Sequence, residues 1–206
     1  MTIRRAALAA AAALAGLAGL SVAATPTADA APSREAAKTT ITFQVPGCDG
    51  CQVQLMQARW KTGPGHGIRF WHTAERTVDG DSLSFTVPTR HTHGMSMTVV
   101  APWEGNTGYV TTTAFRYGGE DPGDDITFRQ ARSKHMATAC WAGTSADEVT
   151  IPLTVRKVWV DGTRHRVRGS IAYASTTQEW MVPMREVWHG VLGSQDVNVC
   201  GKQPRG

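Results

Sequence analysis

Polar and apolar residues alternate along much of this chain. Ile41, Phe43 and Val45 alternate with Thr40, Thr42 and Gln44, and Leu83, Phe85 and Val87 with Ser82, Ser84 and Thr86. The cleanest run sets Val149, Ile151, Leu153 and Val155 against Thr150, Pro152, Thr154 and Arg156, and Val167, Ile171 and Tyr173 repeat the rhythm. A period of two puts all the apolar side chains on one face, as a half-buried antiparallel strand requires. Asp79-Gly80 and Asp161-Gly162 fall between such runs and read as hairpin turns. Eight to ten short strands at this spacing predict an all-β fold, an immunoglobulin-like or related antiparallel β-sandwich. One stretch departs from it. In "GDDITFRQARSKHM" Phe128, Ala131 and His135 recur at helical spacing behind Asp124 or Asp125 as a cap, which predicts one short helix near residues 125 to 136.

The first thirty residues follow neither period. Arg4 and Arg5 precede a long Ala/Leu run that ends in Ala28-Asp29-Ala30, the anatomy of a cleaved export signal. Residues 31–38 read as a flexible leader, and 39–206 as a single sandwich domain long enough to bury a core. No second apolar run could span a membrane after cleavage. The whole chain carries a formal charge of +4; without Arg4, Arg5 and Asp29 it becomes +3. A charge so small and scattered argues against nucleic acid as a partner. The most basic segment, "VRKVWVDGTRHRVRG", alternates like a strand with a solvated face. The acidic loop Glu120, Asp121, Asp124 and Asp125 lacks calcium-loop spacing and reads as solvated.

Four cysteines in an exported chain predict two disulfides. Three pairings exist, of which Cys48–Cys51 with Cys140–Cys200 is favoured. Closing about sixty residues with the second bridge is worth about 4 kcal/mol, whereas the small first loop yields about half that at best. The short bridge therefore invites a chemical reading. Its flank "QVQLMQARW" fits a strand through Val53 and Leu55, or a helix through Val53, Met56 and Trp60. On the helical reading, "ITFQVPGCDGC" resembles the strand, cysteine loop and helix of heavy-metal-associated domains. That resemblance would make Cys48 and Cys51 soft-metal ligands, although Cys48 follows Gly47 with no intervening Met. A thiol-redox protein using Cys48 and Cys51 is a related alternative, and needs a helix to lower the thiol pKa. Asp49-Gly50 between β-friendly runs is the stronger local signal, and it predicts a stapled hairpin.

A second constellation is "RHTHGMSM". His91, His93, Met95 and Met97 stand at steps of two, so an extended chain would point them the same way. Imidazoles and thioethers form a copper-ligand set, and His93-Gly94-Met95 resembles the His-x-Met pair of secreted copper chaperones. An extracellular copper-binding protein, with copper as its cofactor, is thus one alternative. The competing reading makes Met95, Met97 and Val99 the buried face of a strand, with the histidines in the loop before it.

Hydrolytic signatures are absent: "GMSMT" lacks the second glycine of a nucleophile elbow, and no His-Glu-x-x-His occurs. Of seven tryptophans, Trp103 and Trp180 stand in loop-like contexts suited to stacking on a carbohydrate or meeting a cell-surface protein. Together "VPGCDGCQV", "VPTRHTHGMSMTV", "CWAGT", "RKVWVDG" and "GVLGSQDVNVC" resemble segments of small exported β-rich proteins of high-GC Gram-positive bacteria. That resemblance implies export and a β-fold. The leading expectation is a secreted, non-enzymatic binding or surface-associated module.

Overall fold

A computed structural model describes residues 37–61, 67–116, 121–133, 135–179 and 198–200. The export signal, Trp180 and most of the leader lie outside the described residues. The alternating runs are strands, in two main sheets. The first contains β1 (Lys38–Gln44), β5 (Ser82–Pro88), β10 (Glu148–Asp161) and β11 (Arg166–Ala174), in the order β11-β10-β1-β5. The second contains β2 (Gln52–Trp60), β3 (Ile68–His72), β6 (Met95–Val100) and β7 (Thr111–Thr112), in the order β3-β2-β6-β7. A short strand, β4 (Arg76–Thr77), also pairs with β2. β8 (Phe115–Arg116) and β9 (Ala137–Thr138) form a separate two-stranded ladder. The fold is all-β and sandwich-like; the ladders between the named strands are antiparallel except that of β1 and β10, which run parallel.

The core lies between the sheets and is built from the predicted faces. Ile41 and Phe43, Leu83, Phe85 and Val87, and Ile151 and Leu153 come from the first sheet, with Val45 just beyond β1; Val53, Leu55, Met95, Met97 and Val99 come from the second. Phe43 and Phe85 meet edge to face, with ring centroids 6.2 Å apart, the arrangement aromatic quadrupoles favour. A smaller apolar cluster on the other side of β11 gathers Ala114, Ile126, Ala131, Ala137, Ile171 and Tyr173, with Phe128 and Val158 against it.

Two local expectations are corrected, the extent and cap of the helix and the hairpin at Cys48 and Cys51. The helix α1 (Phe128–Ala131) is a single turn, and its cap is Thr127 rather than Asp124 or Asp125. Thr127 and Gln130 form a capping box, in which each side chain accepts from the other's backbone N–H. That reciprocal pairing satisfies two end donors at once, which a lone aspartate does not. His135 lies in the turn beyond it.

The segment after Cys51 is a strand, not the helix of the heavy-metal-associated pattern, and Val53 and Leu55 are fully buried on one face. Cys48 and Cys51 are joined as a disulfide, and so are Cys140 and Cys200. The first bridge does staple a turn, yet not a hairpin. β1 pairs only with β5 and β10, while β2 pairs with β3, β4 and β6, so the turn carries the chain from one sheet to the other. Gly50, at φ +76°, supplies the left-handed residue the turn requires.

What replaces hairpin pairing is a lacing of two turns. The Gly50 N–H donates to the Val78 carbonyl (3.0 Å), and the Val78 N–H donates to the Cys51 carbonyl (2.8 Å). Gly80 N–H donates to the Asp49 carboxylate (2.9 Å), while Gly47 N–H donates to that of Asp81 (3.3 Å). Each aspartate-bearing turn satisfies a glycine amide of the other.

Candidate ligand-binding arm

β10 and β11 form the longest ladder among the described residues, from Leu153↔Ala174 out to Asp161↔Arg166. Residues directly opposite in an antiparallel pair share a face, as do residues two apart on one strand. One face of the hairpin therefore reads Leu153, Val155, Lys157, Trp159 and Asp161 along β10, and Ala174, Ala172, Ser170, Arg168 and Arg166 along β11. Its inner half is core: Leu153, Ala172 and Ala174 are buried. The phase of the alternation then holds while its character changes. From Lys157 outward the β10 residues of this row, with Arg168 and Arg166 opposite them, are exposed and, Trp159 apart, charged; this outer part of the hairpin is the arm.

Trp159 is the exception within that row. It is 53% exposed, the most exposed of the large apolar side chains among the described residues. The Arg168 guanidinium lies 4.0 Å from its ring centroid. Closer to the core, the Lys157 ammonium stands 4.9 Å over the Trp103 ring. The Arg166 guanidinium is 3.9 Å from Asp161, a solvated pair worth little to stability. Cations over indoles are attracted by the ring quadrupole, by about 0.5–1 kcal/mol at exposed sites. Each pair thus presents an apolar ring edge beside a positive charge. Between Arg156 and Arg168 the arm carries five Lys and Arg residues and one acidic residue, Asp161.

A loop from Trp103 to Gly108 braces the arm along the edge of β11 away from β10. Gly105 N–H donates to the Arg168 carbonyl (2.9 Å), and Thr163 N–H donates to the Asn106 carbonyl (3.3 Å). The turn at the tip, residues 162–165, is longer than the two-residue Asp161-Gly162 turn expected, and closes through Gly162 N–H to the His165 carbonyl (3.0 Å). Gly162 is required by close approach: a Cβ there would stand 2.7 Å from the Asn106 carbonyl oxygen and 2.8 Å from that of His165. Between loop and tip lies a cleft of about 640 Å³ lined by Gly105, Asn106, Thr163, Arg164, His165 and Val167, within the size range of small-ligand sites.

Trp103, expected in an open loop, is half-buried against the main core, and its indole N–H donates to Ser170 Oγ (3.0 Å). It anchors the base of the arm, with Lys157 over its ring. Trp159 was legible only as part of a solvated alternation. The signal that marks it is an indole occupying the same row as Lys157 and Asp161, where a core residue would not be.

The structure does not hold the copper set on one extended strand. Thr89–His91 is a 3-10 turn and Gly94 adopts φ +72°, so the alternation begins only at Met95. Met95 and Met97 are completely buried in the main core. The His91 ring stacks on Trp71 at 4.3 Å between centroids, with Nδ1 2.9 Å from Gln57 Oε1. Burial, and then the charges of Arg90 and Arg59, hold the His91 pKa below the ordinary imidazole value. His93 Nδ1 lies 2.6 Å from the Ala142 carbonyl, and its own carbonyl accepts from Gln57 and Arg59. These side chains bind the turn to its neighbours. Among the described residues no three His, Cys, Asp or Glu side chains converge as a metal site would require, and no helix is long and apolar enough to cross a membrane. The cysteines, likewise, are buried and paired.

Comparison with known proteins adds no analogue: no protein-family model, curated protein or solved structure matches this chain.

Proposed function

We propose that this protein is an exported, non-enzymatic binding module, attached to or acting at the cell envelope, and that its contact surface is the β10–β11 arm. The supporting observation is Trp159, an indole left 53% exposed on a ladder of exposed cations. An exposed tryptophan contributes nothing to the core, and binding hot spots are enriched in Trp and Arg. The brace from Trp103 to Gly108 holds the arm in one shape before a ligand arrives, which lowers the ordering cost of binding. Two disulfides suit an oxidising compartment, and the Ala28-Asp29-Ala30 sequence suits cleavage just before Ala31.

The test is co-sedimentation of the chain, residues 31–206, with purified cell walls of a high-GC Gram-positive bacterium. The wild type should pellet with the walls, and the double variant Trp159→Ala, Arg168→Gln should stay in solution. Equal pelleting of both would remove the arm as the contact surface.

A further inference from the structure

The arm's chemistry narrows its ligand, on the premise that the arm is the contact surface. We infer that it takes an acidic polysaccharide, a chain of sugar rings bearing carboxylate groups. The outer row places Lys157, Arg166 and Arg168 around Trp159, with the Arg168 guanidinium 4.0 Å from its ring centroid. An indole offers an apolar surface to the C–H face of a sugar ring, and the neighbouring guanidinium offers paired donors to a carboxylate on that ring. A neutral sugar would use the indole and leave the cations idle. A bare polyanion would use the cations and leave the indole idle. A ring and an acid in one repeating unit use both.

The row is also extended. From the level of Lys157 to that of Arg166, which stands opposite Asp161 and beside its carboxylate, is four strand steps, about 13 Å, so it accepts a run of linked rings rather than one. Nucleic acid fits less well, because the chain's formal charge of +4 is small where a nucleic-acid surface is strongly basic.

Polygalacturonate is the direct probe, measured by calorimetry on the chain of residues 31–206. Dextran serves as the neutral comparator; polyphosphate, a single-stranded oligonucleotide and phosphatidylglycerol/phosphatidylcholine vesicles serve as anions of other classes. Polygalacturonate should bind most tightly, and lose about tenfold or more in affinity between 50 and 300 mM NaCl as the charged contacts are screened. Arg166→Gln with Arg168→Gln, and separately Trp159→Ala, should each weaken it about tenfold with an unchanged melting temperature, since these side chains are exposed. Arg69→Gln, an exposed charge on β3, should leave binding unchanged.

Dextran binding as tight as polygalacturonate, and lost in Trp159→Ala, would overturn the acidic ligand while keeping the arm. Tighter binding of polyphosphate, oligonucleotide or vesicles, again lost in the arm variants, would reassign the ligand to that class. An Arg69→Gln effect equal to that of the arm pair would show net charge at work and overturn the arm itself, and the proposed function with it.

Discussion

The Asp49 carboxylate accepts a 2.9 Å hydrogen bond from the Gly80 amide, thirty-one residues along the chain. With its counterpart from Gly47 to Asp81, it ties the turn that changes sheets to the turn that opens β5. Hydrogen bonds to an ionised acceptor are worth more than neutral ones, but both carboxylates are solvated, so each contributes about 1 kcal/mol. Asp49→Ala with Asp81→Ala should therefore lower unfolding stability by about 2 kcal/mol in urea titrations. Loss no greater than that of either single variant would show that the two turns act as one unit rather than two independent clasps.

The two disulfides should differ in worth. Cys140–Cys200 closes a separation of 60 residues, Cys48–Cys51 one of 3. In the chain-entropy account, removing the first by paired Cys→Ala substitution costs about 4 kcal/mol, and removing the second about 2 kcal/mol at most. Denaturant midpoints of the two double variants give the order, and a reversed order would refute the loop-length account here.

Met97 is fully buried in the main core beside Leu55, its partner across the β2–β6 ladder. As a packing residue it should tolerate Met97→Leu at a cost below about 1.5 kcal/mol, since volume is conserved. Met97→Ala should cost about 2–5 kcal/mol through the cavity it leaves. Thermal unfolding of both variants checks this; comparable losses would mean that the thioether itself matters.

His91 should make stability sensitive to acid. Its folded-state pKa is held below the unfolded value of about 6.5, by burial first and by Arg90 and Arg59 after it. The unfolded chain then binds more protons in the window between the two values, so stability is full above about pH 6.5 and falls as the pH drops below it. Melting temperatures at pH 7.5 and 5.5 should differ more for the wild type than for His91→Gln. An identical pH response would exonerate His91.

Gly162→Ala should act where the loop meets the tip. The new Cβ meets two backbone carbonyl oxygens rather than movable side-chain ends, so the brace must open. Faster amide exchange at Gly105 and Thr163, whose bonds join arm and loop, is the expected sign. Unchanged protection at both would mean the brace adjusts without parting.

The β-fold was legible because period-two alternation reports burial directly. Phe43, Phe85, Ile151 and Leu153 all face inward as their rhythm predicts. Local turn chemistry was legible too, in Gly50 and Gly80, both at positive φ. Partnership was not. Asp49-Gly50 signals a turn, but the identity of the strands beside β1 depends on contacts as remote as Val149. The one-turn helix was overstated because Phe128, Ala131 and His135 share a spacing that the backbone abandons after Ala131. The arm was hidden for a related reason. Alternation from Arg156 to Arg168 is the same whether a face meets a second sheet or water, and only the three-dimensional edge of the core distinguishes them.

β1, the earliest of the described strands, lies in the middle of its sheet. Ile41 pairs with Phe85 on one side and with Val149 on the other. A chain emerging amino end first thus delivers a central strand whose second neighbour follows more than a hundred residues later. Such distant pairing carries a large loop-closure cost and slows folding. Until β10 arrives, β1 has an open flank where a foreign strand could dock, so the interval before Val149 appears is when a holding chaperone would matter most.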